Sequence, residues 1–142
     1  MSPNEFAELT PLAETLNAKT DEVNQTLALL NKKLAALNVG VEVWVGPWQE
    51  HMAYQIGYAK VGETWQLATR TCEAADYLNI ENEHEWVDVA GSHGEAKPIL
   101  QASRSQRIKA LEVLERLLSQ ITLHVRIQLD AIERGKRLAA QL

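Results

Sequence analysis

Two long segments with a heptad repeat of apolar residues enclose a shorter segment that holds every tryptophan and tyrosine of the chain. In the first segment, mostly apolar positions follow each other in steps of three and four from Phe6 to Leu37, and in the second from Leu111 to Leu142. Such spacing is typical of long helices that pack along one side. The pattern therefore predicts two long helices that bracket a smaller, aromatic-rich unit.

The N-terminal heptad segment predicts a helix over residues 3–38 that is disturbed near its start. Pro11 lacks the amide hydrogen that a helix interior uses, and its ring clashes with the preceding turn. We therefore expect a kink near Pro11 or a new helix start capped by Thr10. At the other end, Gly40 can adopt the left-handed conformation that stops a helix.

The C-terminal heptad segment predicts a second helix, over residues 103–141. Ser103 and Gln106 have the spacing of a capping box, in which the serine hydroxyl accepts from the amide three residues later. Additional apolar residues beside the heptad frame widen the apolar face of this helix. A face of that width favours packing against a sheet as well as against a helix.

Between the two helices the apolar period changes from helical to strand-like. Valine occupies alternate positions from residue 41 to 45, and Gly46-Pro47 predicts the end of this strand. Two further strands lie on either side of Gly62-Glu63, because glycine at the first turn position suits a two-residue type II′ hairpin. Residues 41–71 are therefore predicted to form an antiparallel β-meander.

These elements predict a single α+β domain over residues 1–142. Two long helices, expected to run antiparallel or nearly so, flank a three- or four-stranded antiparallel meander and pack on one of its faces, in the order α-β-β-β-α. An acidic loop over residues 72–97 connects the meander to the last helix. Within that loop, residues 86–89 predict a short fourth strand.

The predicted helices are too long for the sheet that they cover. A helix over residues 11–38 spans about 42 Å and one over residues 103–141 about 58 Å, whereas an eight-residue strand spans about 27 Å. The uncovered ends must pair helix to helix, within one chain or between two, and we predict a homo-oligomer, most simply a dimer. The heptad-frame residues assigned to its interface are Leu27, Leu30, Leu34, Leu118, Val125 and Ile132.

Charge is distributed unevenly along the chain, whose net charge is −5. Residues 1–96 contain five Lys or Arg and 15 Asp or Glu, whereas residues 97–142 contain nine and four. The acidic loop could dock on the basic helix of its own chain or attract a cationic partner, and the basic helix could bind nucleic acid through Arg104, Arg107 and Lys109. The net acidity disfavours nucleic acid, because phosphates repel the molecule as a whole.

The sequence contains no motif of catalysis, nucleotide binding or metal binding. It lacks the phosphate-binding patterns G-x-x-x-x-G-K-[ST] and G-x-G-x-x-G and the zinc motif H-E-x-x-H, and its single cysteine, Cys72, has no local partner that would activate it. His84 and His93 lie among acids in the predicted loop, which is more typical of a polar surface than of a built metal site. We predict no cofactor and no metal, and we favour a non-enzymatic role with no catalytic residue assigned.

Aromatic residues of the meander form the best candidate for a ligand or partner site. The patch consists of Trp44, Trp48, Tyr54, Tyr58 and Trp65. The hairpin register places Tyr58 opposite Leu67 on the core face. Trp44 alternates with valines, so it points to the opposite face, where it would cover Gly57. Exposed tryptophans on the sheet would offer a surface to a partner or an apolar ligand.

Two hypotheses follow. The leading one is a non-enzymatic interaction module that self-associates through its long helices and offers the aromatic sheet or the acidic loop to a protein partner. The alternative is a small-ligand-binding protein, or an enzyme without a recognisable motif, that uses an aromatic pocket between helices and sheet. A single cysteine, no export signal and no apolar run long enough for a membrane helix favour a cytoplasmic protein without membrane association.

Overall fold

The chain forms an α+β fold, and the computed structural model describes residues 3–73 and 93–142. The elements in chain order are helix α1 (Pro3–Leu37), strands β1 (Val43–Gln49), β2 (Ala53–Val61), β3 (Thr64–Cys72) and β4 (Lys97–Pro98), a 3-10 turn (Ile99–Gln101), and helices α2 (Arg104–Glu112) and α3 (Leu114–Ala140). The predicted α+β class and antiparallel meander are confirmed. The predicted strand over residues 86–89 lies outside the described residues.

The sheet is a meander in which β1, β2, β3 and β4 are neighbours in that order and each pair is antiparallel. The hairpin between β2 and β3 has the predicted register, with Tyr58 opposite Leu67. Gly62 has a φ of +64°, whereas Glu63 is not among the residues with positive φ. A positive φ at the first turn position alone is the signature of a type II′ turn, so the two-residue turn sets the register of the hairpin.

Strand β1 does not end at Gly46-Pro47, and that prediction was wrong. The strand continues through a bulge, because its register against β2 shifts between Val45 and Trp48. Gly46 permits this path with a φ of +103°, and the peptide bond to Pro47 is cis. As a result Trp48 pairs with Tyr54, and their ring centroids lie 5.8 Å apart.

One face of the sheet and the facing sides of the helices form the hydrophobic core. The buried core residues of the three long strands are Val43, Val45, Tyr54, Ile56, Tyr58 and Leu67. The helices contribute Leu27, Leu34, Ala110, Leu117 and Ile121. Alternation along each strand places these side chains on one face, and the heptad spacing of α1 places its leucines opposite them. Both long helices therefore pack on the same side of the sheet, as predicted.

Helix α1 runs without interruption through Pro11, so no new helix starts at Thr10. The Thr10 hydroxyl instead donates to the carbonyl of Phe6 at 2.9 Å, a bond within the helix. The predicted C-terminal stop is present, because Gly40 has a φ of +56° and Asn38 already has a φ of +51°.

The helix predicted over residues 103–141 is two helices rather than one. Val113, with φ −103° and ψ 9°, ends α2 and immediately precedes α3. Its amide donates to the carbonyl of Lys109 and its carbonyl accepts from the Leu117 amide, both at 3.0 Å, so helical hydrogen bonding continues across this residue. At the start of α2, Ser103 Oγ accepts from the Gln106 amide at 3.3 Å, which is the predicted cap.

Helix α1 ends and helix α2 begins at opposite ends of the sheet. Helix α1 ends at the β2–β3 turn, where Gly40 lies beside Trp65. Helix α2 begins at the opposite end, where Ser103 donates to Glu50 of the β1–β2 loop, and α3 then packs under β1.

Three asparagines at seven-residue spacing fix α1 against its neighbours. Asn17 and Asn24 accept from Arg104 at 2.9 Å and from Arg107 at 2.6 Å, both on α2. Asn31 accepts from the Leu67 amide of β3 at 2.7 Å. The row follows the heptad period, so one side of α1 provides polar contacts while the adjacent side provides the core leucines.

Candidate interaction surfaces

The N-terminal half of α1 extends beyond the sheet and exposes apolar side chains. We call residues 3–19 the α1 projection, because Thr20 is the first buried residue of the helix. Its exposed apolar residues, with exposed fractions of 43–62%, are Phe6, Leu9, Leu12 and Leu16. At 1.5 Å per residue the projection is about 26 Å long. The heptad frame that faces the core farther along α1 therefore faces solvent here.

The C-terminal part of α3 also exposes apolar side chains, beyond the last buried residue of the helix. We call residues 122–140 the α3 projection, because Ile121 is the last buried residue of the helix. Its exposed apolar residues, with exposed fractions of 48–62%, are Leu123, Ile127, Leu129, Ile132 and Leu138. The α3 projection is about 29 Å long, close to the length of the α1 projection.

Threonine hydroxyls on both projections make hydrogen bonds within their own helix. Thr10 and Thr15 donate to the carbonyls of Phe6 and Pro11, and Thr122 donates to the carbonyl of Leu118, each at 2.9 Å. A hydroxyl that is already bonded loses little when water is removed from it. These positions can therefore be covered by another apolar surface at low cost.

The two projections carry opposite net charge. The charged residues of the α1 projection are Glu5, Glu8, Glu14 and Lys19. Those of the α3 projection are Arg126, Asp130, Glu133, Arg134, Lys136 and Arg137. Lys19 pairs with Glu22 at 3.1 Å and Lys136 with Glu133 at 3.5 Å, both along one helix and both well exposed. The α1 projection is therefore acidic and the α3 projection basic.

The interface residues predicted on α1 are occupied within the chain. Leu27 and Leu34 are buried in the core, and Leu30 packs against the core half-buried. On α3, Val125 is half-buried beside the core, whereas Leu118 and Ile132 are exposed, the latter at 56%. Of the predicted interface residues, Ile132 lies within the α3 projection and is well exposed.

The exposed leucines of the α1 projection were not assigned to the interface from the sequence, although a signal for them existed. The heptad frame begins at Phe6, and a strand is too short to cover a helix of that length. The comparison of lengths indicated that some of the frame is uncovered. It did not indicate which part, because that depends on where the sheet lies along the helix.

The five residues of the predicted aromatic patch do not form one surface. Tyr54 and Tyr58 are buried in the core. Trp48 packs on Tyr54 and Trp65 stacks on Tyr58, each with ring centroids 5.8 Å apart. Trp44 lies on the opposite face of the sheet, because it alternates with the core valines along β1. Four of the five aromatic side chains therefore belong to the core or pack against it.

Trp44 covers Gly57, as the sequence predicted. The two residues are paired across β1 and β2, and a Cβ placed on Gly57 would lie 2.5 Å from the indole ring. The Arg70 guanidinium stacks on the same ring at 4.1 Å, and Trp44 Nε1 donates to Glu42 at 3.1 Å. Arg70 Nε also donates to the buried Gln55 at 2.8 Å. These polar groups are engaged with one another, which favours a structural role for this face.

A cluster of hydrogen bonds at the β1–β2 loop attaches α2 to the sheet. The Glu50 carboxylate accepts from Ser103 and Ser105 and from Gln106 Nε2 at 2.8 Å, and Thr69 donates to Gln106 Oε1 at 2.8 Å. Hydrogen bonds from Ser105 and then Gln106 lower the pKa of Glu50. No sequence pattern predicts this cluster, because Glu50 and its partners are more than 50 residues apart.

A small cleft lies between the end of α1 and the β2–β3 turn, where the aromatic-pocket hypothesis placed Tyr58 and Trp65. Its lining residues are Ala35, Asn38, Gly40, Tyr58, Glu63, Thr64 and Trp65, and its volume is about 190 Å³. Ligand sites usually enclose roughly 300–1,000 Å³. Burial raises the pKa of Tyr58, so its hydroxyl stays protonated at neutral pH. The cleft gives the small-ligand hypothesis little support.

Basic residues that were considered for nucleic acid contact the chain itself. Arg104 and Arg107 bond to asparagines of α1, and Lys109 pairs with Glu112 at 3.2 Å and lies 5.4 Å from the Trp48 ring centroid. In the described ranges, no group of three His, Cys, Asp or Glu side chains is placed to hold a metal ion. His84 lies outside those ranges, and Cys72 is buried.

Comparison with known proteins provides no relative from which a role could be inferred. The chain matches no protein-family model, and no curated protein and no solved structure is significantly similar to it. Among the helices of residues 3–73 and 93–142, none has an apolar stretch that could cross a lipid bilayer. The role of the protein must therefore be inferred from its own surfaces.

Proposed function

We propose that this protein is a non-enzymatic self-association module, which uses its two helical projections to bind another copy of itself. The observation that carries the proposal is the change of environment along α1 at Thr20. The same heptad frame is buried beyond that residue and exposed before it. Contiguous apolar faces of this kind are rare on monomeric proteins and usually mark an interaction site.

The size of the two faces supports assembly between chains. A stable interface buries about 1,200–2,000 Å² in total, or about 800 Å² on each partner. Two helical segments of about 26 and 29 Å, each with several large apolar side chains, are of the right order to supply such an area. Because the apolar side chains of both projections are exposed, the projections do not cover each other within one chain.

A reducing compartment suits a chain with a single cysteine, which is buried. On that basis we propose a cytoplasmic location, because proteins of oxidising compartments commonly carry paired cysteines.

Replacement of exposed apolar residues tests the proposal. Leu9→Gln and Ile132→Gln keep the charge and remove apolar surface from the α1 and α3 projections respectively. Each buried side chain of this size contributes about 1.5–3 kcal/mol, so each variant should self-associate at least about tenfold more weakly by sedimentation velocity.

Leu29→Gln is the matched control. Leu29 is 51% exposed on the outer side of the sheet-covered half of α1, so its loss should leave self-association unchanged. Equal weakening by all three variants would point to general destabilisation, and no weakening by any of them would refute the use of the projections.

A further inference from the structure

We infer that the α1 projection of one copy pairs with the α3 projection of a second copy, rather than with its own counterpart. This inference rests on the proposed self-association and names the surfaces that meet in it. A second copy covers both faces, because one chain offers two exposed apolar projections of similar length and opposite charge.

Charge decides between the possible pairings. Two α1 projections side by side would bring Glu5, Glu8 and Glu14 of one copy near those of the other. Two α3 projections would likewise bring arginines together. Pairing α1 with α3 replaces both repulsions by attractions. Complementary charge of this kind contributes more to the specificity of binding than to its affinity.

The positions of the charges favour an antiparallel arrangement. Acidic residues lie near the free end of the α1 projection, at Glu5 and Glu8, and basic residues lie near the free end of the α3 projection, at Arg134 and Arg137. If the projections align along their lengths with their free ends together, these groups become neighbours. The positive N-terminal end of one helix dipole then also meets the negative C-terminal end of the other.

A two-fold axis produces this arrangement twice. Rotation by 180° about a suitable axis places α3 of the second copy beside α1 of the first. The same operation places α1 of the second copy beside α3 of the first. The interface is therefore closed, and association stops at two chains.

Charge reversal in two variants tests the pairing. The acid-reversed variant carries Glu5→Lys and Glu8→Lys, and the base-reversed variant carries Arg134→Glu and Arg137→Glu. Each variant alone has like charges on α1 and α3, so we expect its dimer to be at least about tenfold weaker than the unaltered dimer by sedimentation equilibrium at low salt. An equimolar mixture restores opposite charges at both contacts, so the heterodimer should form with an affinity near that of the unaltered protein.

The control variant reverses two exposed charges of the sheet-covered half of α1, Lys32→Glu and Lys33→Glu, and should dimerise normally. Circular dichroism establishes that all variants keep their helical content. If the unaltered chain dimerises and both reversed variants dimerise equally well alone, the pairing of α1 with α3 is wrong while the proposed function stands. If the unaltered chain is monomeric at every concentration, the proposed function itself fails. A mass that grows beyond two chains contradicts the closed two-fold arrangement.

Discussion

Helix α1 carries one heptad frame through two different surroundings. From Thr20 to Leu34 the frame faces the sheet, and its leucines are buried or half-buried. From Phe6 to Leu16 the same frame, with residues of the same type, is exposed. Helix α3 repeats the contrast in reverse order, with buried residues near its start and exposed ones toward its end. A heptad pattern therefore indicates that a helix has an apolar side, and the position of the sheet decides which part of that side remains for a partner.

The largest expected difference between the two halves is in folding stability. Leu27→Ala removes a side chain that is fully buried and should lower the free energy of unfolding by about 2–5 kcal/mol. Leu9→Ala, on the same helix, should change it by less than about 1 kcal/mol in dilute, monomeric protein. Urea unfolding at low concentration measures both. Similar losses for the two variants would mean that the α1 projection packs within its own chain.

Two glycines also differ in how closely they are packed, Gly57 in the sheet and Gly135 in the α3 projection. A Cβ on Gly57 would overlap the Trp44 ring and the Val43 carbonyl, so Gly57→Ala should destabilise the fold by about 1–3 kcal/mol. Gly135 in the α3 projection has no atom within 4 Å of a Cβ position, and Gly135→Ala should stabilise that helix by up to about 1 kcal/mol.

Urea unfolding reports the effect at Gly57, and the far-ultraviolet circular dichroism of dilute protein reports the gain in helix at Gly135. A loss of helix in Gly135→Ala would show that this glycine is already in contact with something in the monomer.

The smallest effect concerns the attachment of α2 to the sheet-covered region. Hydrogen bonds from Ser105 and Gln106 lower the pKa of Glu50 in the folded state. Ionised Glu50 therefore stabilises the fold at pH values above its unfolded pKa of about 4.3, and this contribution is lost as the pH falls through the lower, folded pKa. The unaltered protein should lose more stability between pH 6 and pH 3 than Glu50→Gln.

Glu63→Gln, which removes a carboxylate of the exposed β2–β3 turn outside this cluster, is the matched control. Dimerisation at pH 6 should be the same in all three proteins, because Glu50 lies outside both projections. An identical pH profile for Glu50→Gln and the unaltered protein would contradict the role given to this carboxylate.

Much of the fold was predictable because local signals determine it. Gly62-Glu63 permits only a short turn, so the pairing of Tyr58 with Leu67 followed from counting residues away from it. Trp44 over Gly57 followed from alternation along β1. These features depend on a few neighbouring residues and on rules of backbone geometry.

Other features depend on contacts between distant parts of the chain, and the sequence predictions failed there. The bulge that carries β1 past Gly46-Pro47 forms because β2 offers partners on the far side of it. The bonds from Ser103 and Ser105 to Glu50 join segments that no periodicity connects. The mismatch between helix and strand lengths indicated that an uncovered helical surface exists. It did not identify the residues of that surface.

Hydrogen–deuterium exchange of the unaltered chain at two protein concentrations tests the comparison most directly. We predict that the amides of residues 20–34 and 114–121 exchange slowly at both concentrations, because the sheet protects them within each chain. Amides of the α1 and α3 projections should exchange quickly in dilute protein and markedly more slowly in concentrated protein, where a second copy covers them. Exchange in the projections that is independent of concentration would contradict the central claim that these helices are completed by another copy of the chain.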